Sequence, residues 1–303
     1  MSDRKCVMAL GFFDGLHLGH RALLDTVKQR AGESGMEPAV LSFDIHPDNL
    51  VFGQEVSLIF SSEEKKKQIR ELFGIDEVIF LRFTDELMKM NWRNFLDLLV
   101  SEFNVGRLVV GHDFTFGYRG EGKTEQLSAY CSEHGLGCDI IPPVYLNGSI
   151  VSSTLIRKLI AEGDMEAADS YLGHPYYIPG TVIHGLHNGE KLGFPTLNIK
   201  LPAGVVIPRF GVYASLVEID GKLYPAATDI GVKPTVCDDG EVLVESHLLE
   251  FEDKLYGAEI SVIPKRFIRP EMHFSDFAQL TEAISGDVET IRRYFAEEGR
   301  AEA

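Results

Sequence analysis

Over residues 6–162 the apolar positions follow two alternating periods. Short apolar runs at 6–12, 39–43, 77–83, 107–111 and 137–141 are bounded by polar or glycine-bearing segments and predict buried strands. Between them, at 18–31, 61–73, 91–103, 123–134 and 152–162, apolar residues recur three and four apart, which predicts helices. Strands separated by single helices of this length imply βαβ units and a parallel sheet, an α/β architecture. The run EEKKK at 63–67 reads as the solvated face of the second helix.

The pattern changes near Leu172. The stretch YLGHPYYIPG at 171–180 carries two prolines and two glycines and reads as a connection. Beyond it the apolar segments are short and punctuated by turns. Those at 211–219 and 222–229 flank Asp220-Gly221, the dipeptide expected in a type I′ hairpin. Further strands are expected at 242–249 and 258–267. After Arg269-Pro270 the helical period returns, with Ser275 as N-cap of a helix over 276–284 and a second helix over 287–297. The expected organisation is a parallel-sheet domain over residues 1–173 and an antiparallel β-barrel with terminal helices over 179–303.

Composition narrows the classes of partner. The 303 residues suffice for two domains, and 45% hydrophobic with 25% charged residues is ordinary for globular chains. The net charge of −17 is spread evenly, −9 over residues 1–175 and −8 over 176–303. No basic domain is masked, which argues against nonspecific nucleic-acid binding and against charge-driven attachment to anionic lipid. Phosphate ligands stay open, because backbone amides and a few local cations can hold them. No stretch approaches 18 apolar residues, so no transmembrane helix is expected, and the first segment reads as a buried strand rather than a signal peptide. Cys6, Cys131, Cys138 and Cys237 show neither a C-x-x-C pair nor zinc-ligand spacing, consistent with reduced thiols in a cytoplasmic protein.

The candidate chemistry begins in Gly11-Phe12-Phe13-Asp14-Gly15-Leu16-His17-Leu18-Gly19-His20. This segment leaves the first strand, turns through glycines and enters a helix. His17 and His20, three residues apart, fall on one face of the first helical turn, where free amides and the helix dipole favour an anion. Gly19 removes a side chain between them. At the C-terminal edge of a parallel sheet this is a natural triphosphate site.

The segment resembles the H-x-G-H signature of nucleotidyltransferases, and its longer form resembles the bacterial flavin adenylyltransferases. Phe43-Asp44-Ile45-His46-Pro47 is similar to the family's F-x-P-H-P segment, with Ile45 in place of the usual proline. Gly111-His112-Asp113-Phe114-Thr115-Phe116-Gly117 resembles G-x-D-F-x-F-G, and Val151-Ser152-Ser153-Thr154-Leu155-Ile156-Arg157 resembles V-S-S-T-x-I-R. The resemblance implies a Rossmann-like domain that joins FMN to ATP. His17 and His20 would bind the ATP phosphates, together with the loop Gly11, Phe12, Phe13, Asp14, Gly15 and Gly19, with Asp113, and with Ser152, Ser153, Thr154 and Arg157. Pro47, Phe114 and Phe116 would offer apolar surface to the flavin ring.

The second half resembles riboflavin kinases. Gly180, Gly185 and Gly189 precede Leu192-Gly193-Phe194-Pro195-Thr196-Leu197-Asn198, similar to the kinase G-F-P-T-x-N pattern, and no P-loop sequence is present. By resemblance Gly185, Gly189, Gly193 and Pro195 would serve the nucleotide phosphates, and Thr196 and Asn198, with small neutral oxygens, would suit Mg²⁺. Glu245, within V-E-x-H-L, would be the catalytic base acting on the riboflavin 5′-hydroxyl. Two departures stand out: Glu190 after Gly189 where the kinases carry arginine, and Asp229 where they carry asparagine. The resemblance implies riboflavin, FMN and ATP as ligands, FMN and FAD as products, and Mg²⁺ with both steps; a homo-oligomer is left open. Two other readings stay open at this point. One is a nucleotidyltransferase for a different phosphorylated substrate. The other is a chain in which one domain retains activity and its companion serves as a flavin-binding or regulatory module.

Overall fold

The computed structural model describes residues 4–46, 49, 53, 55–185, 193–232, 241–249, 251 and 255–301. It divides into two compact units, residues 1–153 and 154–303.

The first unit is built on five parallel strands, β1 (Cys6–Leu10), β2 (Glu37–Phe43), β3 (Glu77–Leu81), β4 (Val105–Gly111) and β5 (Gly137–Ile141), in the order β3-β2-β1-β4-β5. Because alternate residues of a strand face opposite sides, β1 feeds two cores. Cys6, Met8 and Leu10 pack with Phe95, Leu96, Leu99, Leu127 and Tyr130 on one face. Val7 and Ala9 pack with Leu23, Leu24, Val27, Ile69 and Phe73 on the other. Helices α1 (Leu18–Ser34) and α2 (Ser62–Phe73) thus cover one side, and α4 (Trp92–Phe103) and α5 (Thr124–Glu133) the other. The strand order reverses direction between β1 and β4, and the C-terminal ends of those neighbours frame the crevice where such sheets bind ligands.

Sequence punctuation accounts for the helix ends. Ser61 and Asn91 cap α2 and α4 by accepting from the amides of Glu64 and Asn94, and Gly35 and Gly74 close α1 and α2 in the left-handed conformation. Among the described residues, a short α3 (Asp85–Lys89) and a hairpin of β6 (Tyr145–Leu146) with β7 (Ser149–Ile150) lie outside the predicted elements. The hairpin turns through Asn147 (φ 50°) and Gly148 (φ 78°), the pair of positive φ values a type I′ turn requires.

In the second unit α6 (Ser153–Glu162), which begins on the last residue of the first unit, is followed by α7 (Met165–Leu172). The stretch read as a connection is anchored rather than loose. Tyr176 and Ile178 are buried, and Asp169 accepts from the Tyr176 amide at 2.7 Å. Six antiparallel strands then form the barrel: β8 (Ile178–Thr181), β9 (Leu197–Lys200), β10 (Gly211–Ile219), β11 (Lys222–Val232), β12 (Val242–Leu248) and β13 (Glu259–Arg269), ordered β8-β13-β10-β11-β12-β9. The edge strands approach each other at a seam. Ile183 N donates to Asn198 O at 2.8 Å, and Gly180 has the Ile199 side chain 2.9 Å from where a Cβ would stand. The β10–β11 turn has Asp220 at φ 49° and Gly221 at φ 75°, as expected of Asp-Gly.

One terminal helix, α8 (Phe277–Ala301), replaces the two expected at 276–284 and 287–297 and runs through the Ser285-Gly286 dipeptide between them. The buried stripe Val288, Ile291, Tyr294 keeps helical spacing, and Ile291 and Tyr294 dock on Val212 and Ala214 of β10. Ser285 Oγ returns its hydrogen bond to Thr281 O at 2.8 Å, so the dipeptide is absorbed into the helix. Arg269 at the end of β13 makes a forked pair with Asp287, at 2.9 Å from Nε and 2.7 Å from Nη2, with both side chains largely buried. Asp287→Ala strands the guanidinium and should destabilise the barrel by about 2–3 kcal/mol, read as a lower urea midpoint for its unfolding transition; an unchanged midpoint would show the pair does not hold the helix.

Candidate functional site

The loop after β1 is strained at two non-glycine positions. Phe13 (φ 56°) and Leu16 (φ 46°) lie in the left-handed region on either side of Asp14 and Gly15 (φ 80°). Such residues cost of order 1–3 kcal/mol each. Both bury their side chains almost completely, at 1% exposure, and complete burial of a large apolar side chain contributes about 1.5–3 kcal/mol, enough to offset the strain. Asp14, also buried, ties the loop down through two of its oxygens: Oδ1 accepts from Ile59 N at 2.8 Å, and the carbonyl accepts from Ser153 Oγ at 2.9 Å.

His17 is the N-cap of α1, its Nδ1 accepting from His20 N at 3.3 Å. A neutral ring accepting at Nδ1 carries its proton on Nε2, which makes that atom a donor. The His17 and His20 rings stack at 3.7 Å with 12° between planes, and His20 meets the Phe13 ring edge-on at 5.2 Å. Gly19 makes this stack possible, because a Cβ there would stand 3.1 Å from His17 Cε1. Its small size therefore serves the imidazole pair. Burial, then the neighbouring His17 and Lys65, holds the pKa of His20 well below the usual 6.5. His20 Nδ1 is buried without a partner among the described residues. A helix N-terminus carrying an unpartnered imidazole nitrogen at the switch point of the sheet is equipped to receive an anion.

Around this centre, Gly11 is overlaid by the Phe13 ring, 3.0 Å from a would-be Cβ. Across the crevice, at the end of β4, Asp113 projects into solvent with its Oδ1 close over Gly111. Phe114 and Phe116 stack at 5.5 Å, but Phe116 is 5% exposed and belongs to the core with Trp92 and Phe95, so Phe114 is the more accessible ring. Pro47 lies outside the described residues. Thr154 and Arg157 fall in the second unit, where Arg157 Nη2 donates to Thr154 Oγ1 at 3.3 Å in the first turn of α6.

Sequence reasoning missed Lys65. It assigned the whole EEKKK run to solvent, yet Lys65 is 1% exposed and its Nζ donates to Phe12 O at 2.6 Å and to Ser42 Oγ at 3.3 Å. The signal was periodic: Lys65, Ile69 and Phe73 stand four apart on the covered face of α2.

In the barrel, β12 sets Glu245 directly opposite Asn198 on β9 and opposite Asp229 on β11. Directly paired residues of antiparallel strands share a face, so all three side chains lie in one row. The departure at Asp229 thus adds a second carboxylate beside Glu245. Asn198 is buried, its Nδ2 lies 3.4 Å from Thr196 Oγ1, and its Oδ1 has no partner among the described residues. Gly185 makes room for that amide, since a Cβ would stand 2.7 Å from Asn198 Nδ2. Pro195 O accepts from His247 Nδ1 at 2.9 Å, which fixes the turn before Thr196, and Gly193 (φ 85°) opens that turn. Gly189 and Glu190 lie outside the described residues. An orphaned amide oxygen beside a hydroxyl and a carboxylate is a hard-oxygen set that fits Mg²⁺.

Comparison with known proteins assigns both halves. Residues 1–155 match the FAD synthetase family model and residues 172–295 the riboflavin kinase model. A bifunctional riboflavin kinase/FMN adenylyltransferase of Listeria monocytogenes is 35% identical over 97% of this chain and 94% of its own length. Its counterpart in Bacillus subtilis is 36% identical over 96% and 93%. The chain belongs to the bifunctional riboflavin kinase/FMN adenylyltransferase family. A relative in Escherichia coli K12, 35% identical over 96% of this chain and 93% of its own, carries the same description. Among solved structures, one described as a macrolide-efflux protein from Streptococcus pneumoniae superposes with a TM-score of 0.87 at 28% identity, covering 96% of this chain and 95% of that one. Among the described residues here, no helix is long and apolar enough to cross a membrane.

The half-buried His20 imidazole makes the stability of the first unit pH-dependent. His20 stays neutral when folded but binds a proton below about pH 6.5 when unfolded, so the unfolded chain gains protons and stability falls as pH drops below 6.5. Its contribution approaches about 1.4 kcal/mol per pH unit. Urea midpoints of the first unit measured from pH 7.5 to 5 should fall less steeply in His20→Gln than in wild type; equal slopes would show that His20 is not held neutral.

Proposed function

We propose that the chain makes FAD in two steps, with each unit's site acting on a different phosphate of ATP. The kinase reading covers residues 179–303. Here the riboflavin 5′-hydroxyl attacks the γ-phosphorus, ADP leaves, and Glu245 takes the hydroxyl proton. Thr196 and Asn198 hold Mg²⁺, which neutralises charge on the phosphate oxygens when bound. Gly185, Gly189, Gly193 and Pro195 give the phosphates a close backbone approach. The pairing of Glu245 with Asn198 across adjacent strands supports this reading, because it sets a base beside a hard-oxygen donor without any P-loop.

The adenylyltransferase reading covers residues 1–173. An FMN phosphate oxygen attacks the α-phosphorus of ATP and the bond to pyrophosphate breaks. The nucleophile is already an anion, so positioning and neutralisation of the growing charge carry the catalysis. His17 and His20 meet the phosphates at the start of α1, backed by Gly11, Phe12, Phe13, Asp14, Gly15, Gly19, Asp113, Ser152 and Ser153. For Thr154 and Arg157 the assignment rests on the V-S-S-T-x-I-R segment. Phe114, supported from behind by Phe116, and Pro47 offer the flavin its apolar surface. Both reactions use small soluble anions, and the protein acts in the cytoplasm without nucleic acid or membrane.

The single observation that carries the reading is the His17–His20 stack with its unpartnered nitrogen at the switch point of the sheet. Incubation with riboflavin, ATP and Mg²⁺, followed by separation of the flavins, should give FMN and then FAD. In the His17→Ala/His20→Ala double variant, FMN should accumulate while FAD formation falls at least 100-fold. Glu245→Gln should lower FMN formation at least 100-fold and still convert supplied FMN to FAD. Normal kinase turnover in Glu245→Gln would overturn the assignment of the base.

A further inference from the structure

Lys65 is a charged group placed where charge is expensive. Its side chain is enclosed by α2, the loop after β1 and the end of β2, and its ammonium sits 3.9 Å from the Phe12 ring centroid and 5.4 Å from that of Phe80. An isolated buried ammonium is strongly disfavoured, so ring faces and oxygens have to compensate it. Burial lowers its pKa to about 8, with Asp14 pulling the other way. A leucine or methionine in line with Ile69 and Phe73 would fill this site without that cost, so packing alone does not account for a lysine.

What the ammonium holds is one peptide plane. Phe12 O accepts from Lys65 Nζ at 2.6 Å and from Ser42 Oγ at 2.9 Å. Its peptide is trans, so the carbonyl drawn toward Lys65 turns the following N–H, that of Phe13, the opposite way. Phe13 opens the strained stretch leading to His17, and its N–H has no partner among the described residues. The Phe13 ring itself meets His20 edge-on at 5.2 Å, so this peptide and the imidazole pair belong to the same short loop.

We propose that Lys65 is a positioning residue for adenylyl transfer: by fixing the Phe12 carbonyl it presents the Phe13 amide to the phosphoryl group under attack. The inference rests on the adenylyltransferase reading above. Its effect belongs to the transition state, where charge grows on the transferred group, more than to substrate binding.

The test uses the full chain, with FMN and ATP for adenylyl transfer and the riboflavin kinase rate of the same preparation as a control. Lys65→Met should lower kcat for FAD formation at least 50-fold, with KM for ATP and FMN within threefold of wild type and the kinase rate unchanged. Ser42→Ala, which removes only the second donor to Phe12 O, should lower kcat about five- to tenfold with an unchanged melting temperature. If Lys65→Met fails to fold, Ser42→Ala decides alone. A kcat within twofold of wild type in Ser42→Ala, or within threefold in folded Lys65→Met, would overturn the proposal; so would a loss confined to KM. Absence of FAD formation in the wild-type chain would instead defeat the adenylyltransferase reading.

Discussion

The Phe12 carbonyl, shared between a buried ammonium and a buried hydroxyl, is the junction on which the first site depends. Downstream of it the backbone passes through two left-handed non-glycine residues before entering α1. A loop with that much strain keeps one conformation only when its surroundings over-determine it. Here they do so by several means. Phe13 and Leu16 are driven into the core, Asp14 is tied to Ile59 and Ser153, and Lys65 holds the carbonyl. The result is a helix start whose capping group is an imidazole, in a chain whose net charge of −17 would otherwise repel phosphate.

The barrel meets the same demand by different means. It has no strained glycine-poor loop among its described residues at Glu245; strand register alone lines up Asp229, Glu245 and Asn198. Register is hard to shift where one face is buried, since a one-residue slip would turn every side chain over. Thr228 and Ser246, hydrogen-bonded at 2.9 Å in the buried interior, hold the same two strands in step from the other face. In this way the order of the core sets the order of the row Asp229, Glu245 and Asn198.

Much of this was legible in the sequence because local rules and tertiary packing agree. The run at 6–12 is apolar because both faces of its strand are covered, and Asp220-Gly221 makes the turn its chemistry favours. The His17–Gly19–His20 spacing likewise needs only helical geometry to be understood. What escaped the sequence reading was decided by packing at a distance. Ser285-Gly286 looks like a break, but the stripe docked on β10 carries the helix through it. Lys65 sits in a charged run whose Glu63 and Lys67 do face water, so composition hid it while the spacing to Ile69 and Phe73 did not. The pairing of Asp229 with Glu245 depends on strand register, which one sequence does not print.

The central claim is that one chain moves the γ-phosphate of one ATP and the α-phosphate of another onto the same flavin. Following isotopic label through the reaction tests this most directly. With riboflavin and γ-³²P-ATP, both FMN and FAD should become radioactive; with α-³²P-ATP, FAD alone should. Label from α-³²P-ATP appearing in FMN, or FAD formed from riboflavin without γ label, would contradict the account.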